Sequence, residues 1–190
     1  MSIAPEIFEE IRCLLFDKAQ AGEHVYAVLD GASIPDLLDR LVSDNPVNVC
    51  LYRGELEADL AEVAPYLVQL EPGSEFAEWI VTEGWGRHWG IFARIAAELD
   101  DTRRHFRRFL IVHDPDNDPM YFRYYDPRVL RVFLPTCNST ELNEIFGTVA
   151  AYFMEAEDPA QCAEFSRKSG ELVTQPHLLA APAGMPGKRS

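Results

Sequence analysis

Residues 24–52 read HVYAVLDGASIPDLLDRLVSDNPVNVCLY, and this stretch decides the fold class. The runs HVYAVL and VNVCLY at its two ends are short and rich in β-branched and aromatic residues, which is typical of strands. Between them, Ser33 and Asp36 can form a capping box before the apolar run LLDRLV, with Pro35 in the first helical turn. The stretch therefore predicts a strand, a helix and a second strand, with a right-handed crossover if the strands are parallel.

On either side of this unit, apolar periodicity and turn residues predict further helices and strands. The predicted helices cover residues 7–19, 74–84, 98–108, 126–134 and 140–146, with caps at Ser74, at Asp126 and at Ser139 or Thr140. The predicted strands cover residues 65–70, 89–95, 109–112, 120–124, 148–155 and 161–174, and 109–112 and 120–124 form a hairpin. We therefore expect an α/β fold with a mixed β-sheet and flanking helices. It would comprise an N-terminal strand-helix-strand lobe and a smaller C-terminal part of helices and a hairpin.

The distribution of charge suggests how the chain is divided. The net charge is −14, yet residues 1–83 hold 17 acidic and only 4 basic residues, whereas residues 84–135 hold 7 acidic residues and 9 arginines. We expect an N-terminal helix (1–21) and a main domain (22–155) composed of an acidic lobe (22–83) and an Arg/aromatic lobe (84–155). A variable extension (156–178) and a mobile tail rich in Pro and Gly (179–190) complete the division.

Composition excludes several classes of partner. The acidity argues against nucleic acid, whose phosphates are bound by Lys and Arg, and against an anionic membrane surface. No apolar run approaches the roughly 20 residues of a membrane helix, and three glutamates near the N-terminus stand where a signal peptide carries Lys or Arg. We therefore expect a cytoplasmic protein with no membrane or nucleic-acid partner. The four cysteines form no CxxC pair, so neither a metal site nor another cofactor is indicated.

Catalytic motifs are missing from the sequence. There is no P-loop, no dinucleotide-binding glycine motif, no nucleophile elbow and no HExxH zinc motif. The sequence thus predicts no catalytic residues, although a triad assembled only by the fold would leave no local motif. One alternative stays open, a small cytosolic enzyme in which His88, His105 or His113 is the acid or base and arginines hold an anionic substrate.

Arginine and tryptophan in the middle of the chain are the candidates for binding a partner protein. Every basic residue from 84 to 135 is Arg, which suits bidentate contacts with carboxylates. The candidate residues are Trp85, Arg87 and Trp89 in the loop GWGRHWG, Arg104 and Arg108 on one helix face, and Arg123 and Arg128 further along. Two alternatives compete with this interpretation: the arginines balance the acidic half within the molecule, and the tryptophans pack into the core.

A longer motif lies at residues 121–130, YFRYYDPRVL, followed by FLP at 133–135. This run resembles the YDPRVL signature of the Tap or TEC family, the adaptor or chaperone proteins of bacterial type VI secretion effectors. Supporting matches are WGIF at 89–92, FLIV at 109–112 and YAVLDGA at 26–32, and residues 141–153 fit the helix and strand that close the family's domain. The resemblance spans residues 22–155, so this main domain is an expected adaptor domain.

The resemblance implies an adaptor without enzymatic activity. Such a protein binds an effector toxin in the cytosol and promotes the loading of the toxin onto the VgrG spike, so the implied partners are the toxin and VgrG. The signature residues Tyr125, Asp126, Pro127, Arg128 and Leu130 also have an explanation that requires no partner. Asp126 before Pro127 can cap a helix and Leu130 can enter the core, so the fold alone can account for the signature.

Overall fold

The structure is a computed structural model that describes residues 3–113 and 116–179. Its helices are α1 (Pro5–Arg12), α2 (Leu37–Ser43), α3 (Ala58–Val63), α4 (Glu75–Gly84), α5 (Leu99–Arg107), α6 (Pro127–Phe133) and α7 (Ser139–Phe146). Its strands are β1 (His24–Asp30), β2 (Asn48–Cys50), β3 (Pro65–Leu70), β4 (Gly90–Ile95), β5 (Ile111–His113), β6 (Pro119–Tyr121), β7 (Val149–Glu155), β8 (Gln161–Lys168) and β9 (Glu171–Leu178). The α/β class with flanking helices is confirmed. The predicted tail, apart from Leu179, lies outside the described residues.

One seven-stranded sheet has the order β2-β3-β1-β4-β7-β8-β9, and each of its neighbouring pairs is antiparallel. The predicted strand-helix-strand unit is present, but β3 lies between β1 and β2, so these two parallel strands are not neighbours. The physical reason is burial: β1 and β3 are almost entirely buried, whereas β2 has three half-buried residues and suits the edge. A sheet with antiparallel neighbours thus replaces the mixed sheet expected from the sequence.

Strands from both predicted lobes and from the predicted extension belong to this sheet. The acidic lobe contributes β1–β3, the Arg/aromatic lobe contributes β4 and β7, and the predicted extension contributes β8 and β9. The single strand expected over 161–174 is two strands joined at Ser169 and Gly170, whose φ angles are 55° and 86°. Positive φ at both central residues is the conformation of a two-residue hairpin turn, which reverses the chain there.

Two helix caps agree with the sequence and two differ. Ser74 and Asp126 accept backbone hydrogen bonds at the starts of α4 and α6, as predicted. The cap of α7 is Asn138 and not the predicted Ser139 or Thr140, because the Asn138 side chain can pair with Glu141 in a capping box. Ser33 caps no helix, since its hydroxyl donates to Asp30 Oδ2 at 2.6 Å.

Each face of the sheet carries its own apolar core. One core packs α1, its π-helical continuation (Cys13–Asp17), α2 and α4 against the sheet, with Phe76 and Phe153 fully buried. The other packs α5, α6 and α7 against the opposite face, around Phe106, Tyr124 and Tyr152. Because successive strand residues point to opposite faces, β1 supplies side chains to both cores.

The predicted hairpin is confirmed as a separate two-stranded sheet of β5 and β6. It pairs Ile111 with Tyr121 and His113 with Pro119, while residues 114 and 115 lie outside the described residues. Its strand residues are mostly exposed, because the hairpin does not extend the main sheet.

Close approach of two backbones yields a test of the β1–β4 pairing. A Cβ atom at Gly90 would overlap the carbonyl oxygen of Val28. We expect Gly90→Ala to lower the free energy of unfolding by about 3 kcal/mol in urea denaturation, because neither backbone can move without breaking the ladder. Gly54→Ala is the control, since a Cβ atom added at Gly54 would have no described neighbour within 4 Å. Its backbone φ of 83° is strained for alanine, so we expect this variant to lose about 1 kcal/mol of unfolding free energy. Equal losses in the two variants would contradict the close packing of β1 on β4.

Candidate protein-binding site

The two tryptophans of the loop GWGRHWG are core residues. Trp85 and Trp89 are only 6% and 7% exposed. The Trp85 indole donates to the carbonyl oxygen of Pro159 at 2.8 Å, and Trp89 packs against Trp79 with ring centroids 5.3 Å apart. These positions favour the core alternative and remove both tryptophans from the candidate surface. Arg87 of the same loop stays at the surface.

A buried carboxylate that the sequence did not reveal holds this loop in place. Glu155, at the end of β7, accepts from the backbone N–H groups of Gly86 and His88 and contacts the His88 imidazole. The cavity beside Glu155 has a volume of about 10 Å³, too small for a substrate. The His88–Glu155 pair therefore anchors a loop and lends no support to the enzyme alternative.

Arg123 is tied to the end of the central strand β1. Its guanidinium pairs with the carboxylate of Asp30, a residue that is 1% exposed. Burial disfavours the charged form of Arg123, but Asp30 outweighs burial and raises the pKa of the guanidinium. Part of the arginine charge therefore neutralises buried acids within the molecule, as one of the two alternatives proposed.

Arg128 forms a bidentate pair with Asp126, which lies two residues earlier in the signature. Arg128 Nε and Nη2 lie 3.0 Å and 2.7 Å from the two oxygens of Asp126, which also accepts the backbone N–H of Arg128 at 2.9 Å. Burial disfavours the Asp126 carboxylate, but these hydrogen bonds outweigh it and lower its pKa. Tyr125, Pro127 and Leu130 are buried. The geometry of the signature supports its structural explanation.

Arg104 and Arg108 line one groove of about 670 Å³, as expected for residues four apart on a helix. Arg104 is exposed and pairs with Asp101, whereas Arg108 donates to Nδ1 of the buried His105 at 3.1 Å. His105 Nε2 donates in turn to the carbonyl oxygen of Ile145 at 2.9 Å. Burial, with the positive charge of Arg108 nearby, lowers the pKa of His105 to about 4. His105 is thus a neutral structural group at pH 7.

Arg107, which the sequence analysis did not single out, binds three consecutive carbonyl groups. It donates to Cys50, Leu51 and Tyr52 at 3.0, 2.9 and 2.7 Å. These contacts fasten the chain after the edge strand β2 to the end of α5. An arginine at the end of an amphipathic helix looks like an ordinary macrodipole partner, so no local signal in the sequence distinguishes it.

A second groove of about 670 Å³ opens where Arg107 joins these elements, and we call it the hairpin groove. Its lining residues come from the segment after β2, from α3, from the end of α5 and from the hairpin. They are Leu51, Tyr52, Arg53, Leu56, Leu60, Arg107, Arg108, Leu110, Ile111 and Tyr121. No acidic residue belongs to this described lining. In a chain of net charge −14, an apolar groove with three arginines is the surface best suited to bind a protein.

Two searches were negative within residues 3–113 and 116–179. No helix there combines the length and apolarity required to cross a bilayer. In the same ranges, no three His, Cys, Asp or Glu side chains are grouped so that they could hold a metal ion.

The fold and the hairpin groove define an α/β protein with an apolar, arginine-bearing groove open at its surface. Residues 25–144 match the model of DUF4123, a domain of unknown function, and the chain belongs to this family. The matched region contains the YDPRVL signature and the whole hairpin groove. Neither the curated proteins nor the solved structures include a match to the chain.

The neutral His105 predicts a pH dependence of stability. An unfolded histidine has a pKa near 6.5, so between pH 6.5 and 4 the unfolded chain binds a proton that the folded protein excludes. Stability from this group is complete above pH 6.5 and is lost as pH falls toward 4. From pH 7.5 to 5, we expect the wild type to lose about 2 kcal/mol more than His105→Gln in urea denaturation. Parallel losses in the two proteins would show that His105 is not buried as a neutral group.

The geometry of the signature predicts that replacing Asp126 lowers the unfolding free energy more than replacing Arg128. Asp126→Ala removes the cap of α6 and a buried acceptor, and we expect a loss of about 1–2 kcal/mol in unfolding free energy. Arg128→Ala should cost less than about 1 kcal/mol, because the guanidinium is half exposed. Thermal and urea denaturation measure both, and an undisturbed Asp126→Ala protein would refute the structural role of the signature.

Proposed function

We propose that this protein is an adaptor, not an enzyme, that binds a type VI secretion effector toxin in the cytoplasm and promotes its loading onto the VgrG spike. The observation that carries the proposal is the signature YFRYYDPRVL at residues 121–130, inside the region that matches DUF4123. The signature resembles that of the Tap or TEC adaptors, and it forms the end of the hairpin and the start of α6.

The geometry of the site supports binding to a protein over catalysis. Of the three histidines in the enzyme alternative, His88 anchors a loop and His105 is a neutral core group. His113 lies on the exposed hairpin. The hairpin groove is open at the surface and lined by large side chains, which is typical of a surface that another protein covers.

Co-expression tests the proposal. The tagged protein is produced with the toxin and the VgrG protein encoded beside its gene, and the complex is purified at moderate salt. We expect the toxin to be retained with the adaptor and VgrG to join when the toxin is present. A matched purification with an unrelated toxin of similar charge is the control. Retention of neither neighbouring partner would contradict the proposal.

A further inference from the structure

We propose that the hairpin groove is the contact for the toxin, and that it takes a segment of the toxin with large apolar side chains flanked by carboxylates. This inference rests on the adaptor function proposed above and names the chemistry of its partner. It moves the binding surface away from the buried Trp85 and Trp89. Arg123 and Arg128, which pair with Asp30 and Asp126, are left out as well. Of the predicted partner-binding residues, Arg108 lines the groove.

Three large apolar side chains of the groove are exposed, as are others elsewhere on the surface, such as Val42, Val132 and Leu178. Tyr121, Ile111 and Leu60 are 74%, 51% and 45% exposed. They come from β6, β5 and α3 and converge on one groove, so their exposure forms a patch and is not scattered over the surface. A contiguous apolar patch of this kind marks a site of macromolecular contact.

The positive charge of the groove determines which charge its partner segment should carry. Arg53, Arg107 and Arg108 lie in the lining, and the described lining has no carboxylate to balance them. Burial lowers the pKa of Arg107, and the positive charges of Arg103 and Arg53 lower it further, so positive potential is concentrated here. A partner segment with Asp or Glu beside its apolar residues complements this potential, whereas the remainder of the acidic protein repels it.

The groove is held in shape before any partner arrives. Arg107 fixes the carbonyl groups of residues 50–52, and the rings of the lining residues Tyr52 and Tyr121 pack with their centroids 6.2 Å apart. Preorganisation of this kind reduces the conformational entropy that the groove would lose on binding. The exposed walls leave a small molecule largely in water, so a polypeptide that covers Tyr121 and Ile111 together fits the surface better.

Charge and apolar variants test the groove. Arg53→Glu and Tyr121→Ser change exposed side chains of the groove, and we expect each to weaken binding of the neighbouring toxin about tenfold or more. Lys168→Glu and Val132→Ser are the matched controls, because both residues are exposed and lie outside the groove. Isothermal titration calorimetry with the purified toxin gives the dissociation constants, and circular dichroism confirms that each variant is folded.

Crosslinking identifies the bound segment. A photoreactive phenylalanine analogue placed at position 121 is irradiated in the complex, and mass spectrometry identifies the attached toxin peptide. We expect a peptide with several large apolar residues and an excess of Asp and Glu.

Two results would overturn the inference: unchanged affinity of Arg53→Glu and Tyr121→Ser, or a crosslinked peptide that is basic or lacks apolar residues. Either result can occur while the wild-type protein still binds the toxin, and the adaptor function would then stand without this groove. Failure of the wild-type protein to bind the toxin would instead refute the adaptor function.

Discussion

A seven-stranded sheet with two apolar faces is the constraint on which the rest of this structure depends. Helices α1, α2 and α4 cover one face, and α5, α6 and α7 cover the other. Most large apolar side chains of the described residues are buried in these two cores. Trp85 and Trp89 belong to the first core. The hairpin of β5 and β6 is left outside the sheet. The packing of helices on both faces of the sheet therefore leaves the hairpin among the exposed parts of the fold.

Buried carboxylates and arginines connect this scaffold to its loops. Asp30 holds Arg123 at the end of β1, Asp126 holds Arg128 at the start of α6, and Glu155 fastens the loop before β4. Each carboxylate is removed from water and needs its hydrogen-bonding partners, because an unpaired buried charge is strongly destabilising. Arginines of the positive middle segment thus partly neutralise acidic residues within the molecule. Arg53 and Arg108, in contrast, reach the hairpin groove.

Local patterns in the sequence predicted the elements well and their arrangement less well. Caps at Ser74 and Asp126 and the hairpin were recognisable because each depends on a few adjacent residues. The insertion of β3 between β1 and β2 was not recognisable, since it depends on which strands gain most from central burial. The role of Arg107 was hidden for the same reason: its three acceptors are more than fifty residues away in the chain. Long-range contacts leave no trace in local periodicity.

The central claim is that this protein loads a toxin through its surface. The most direct test is to measure secretion of the toxin by the strain that carries the gene. The gene is deleted, and toxin and VgrG in the culture medium are quantified after complementation with the wild type or with Arg53→Glu/Tyr121→Ser. The account predicts that deletion abolishes export of the toxin while VgrG is still released, and that the wild type restores export whereas the double variant does not. Normal toxin export from the deletion strain would contradict the account.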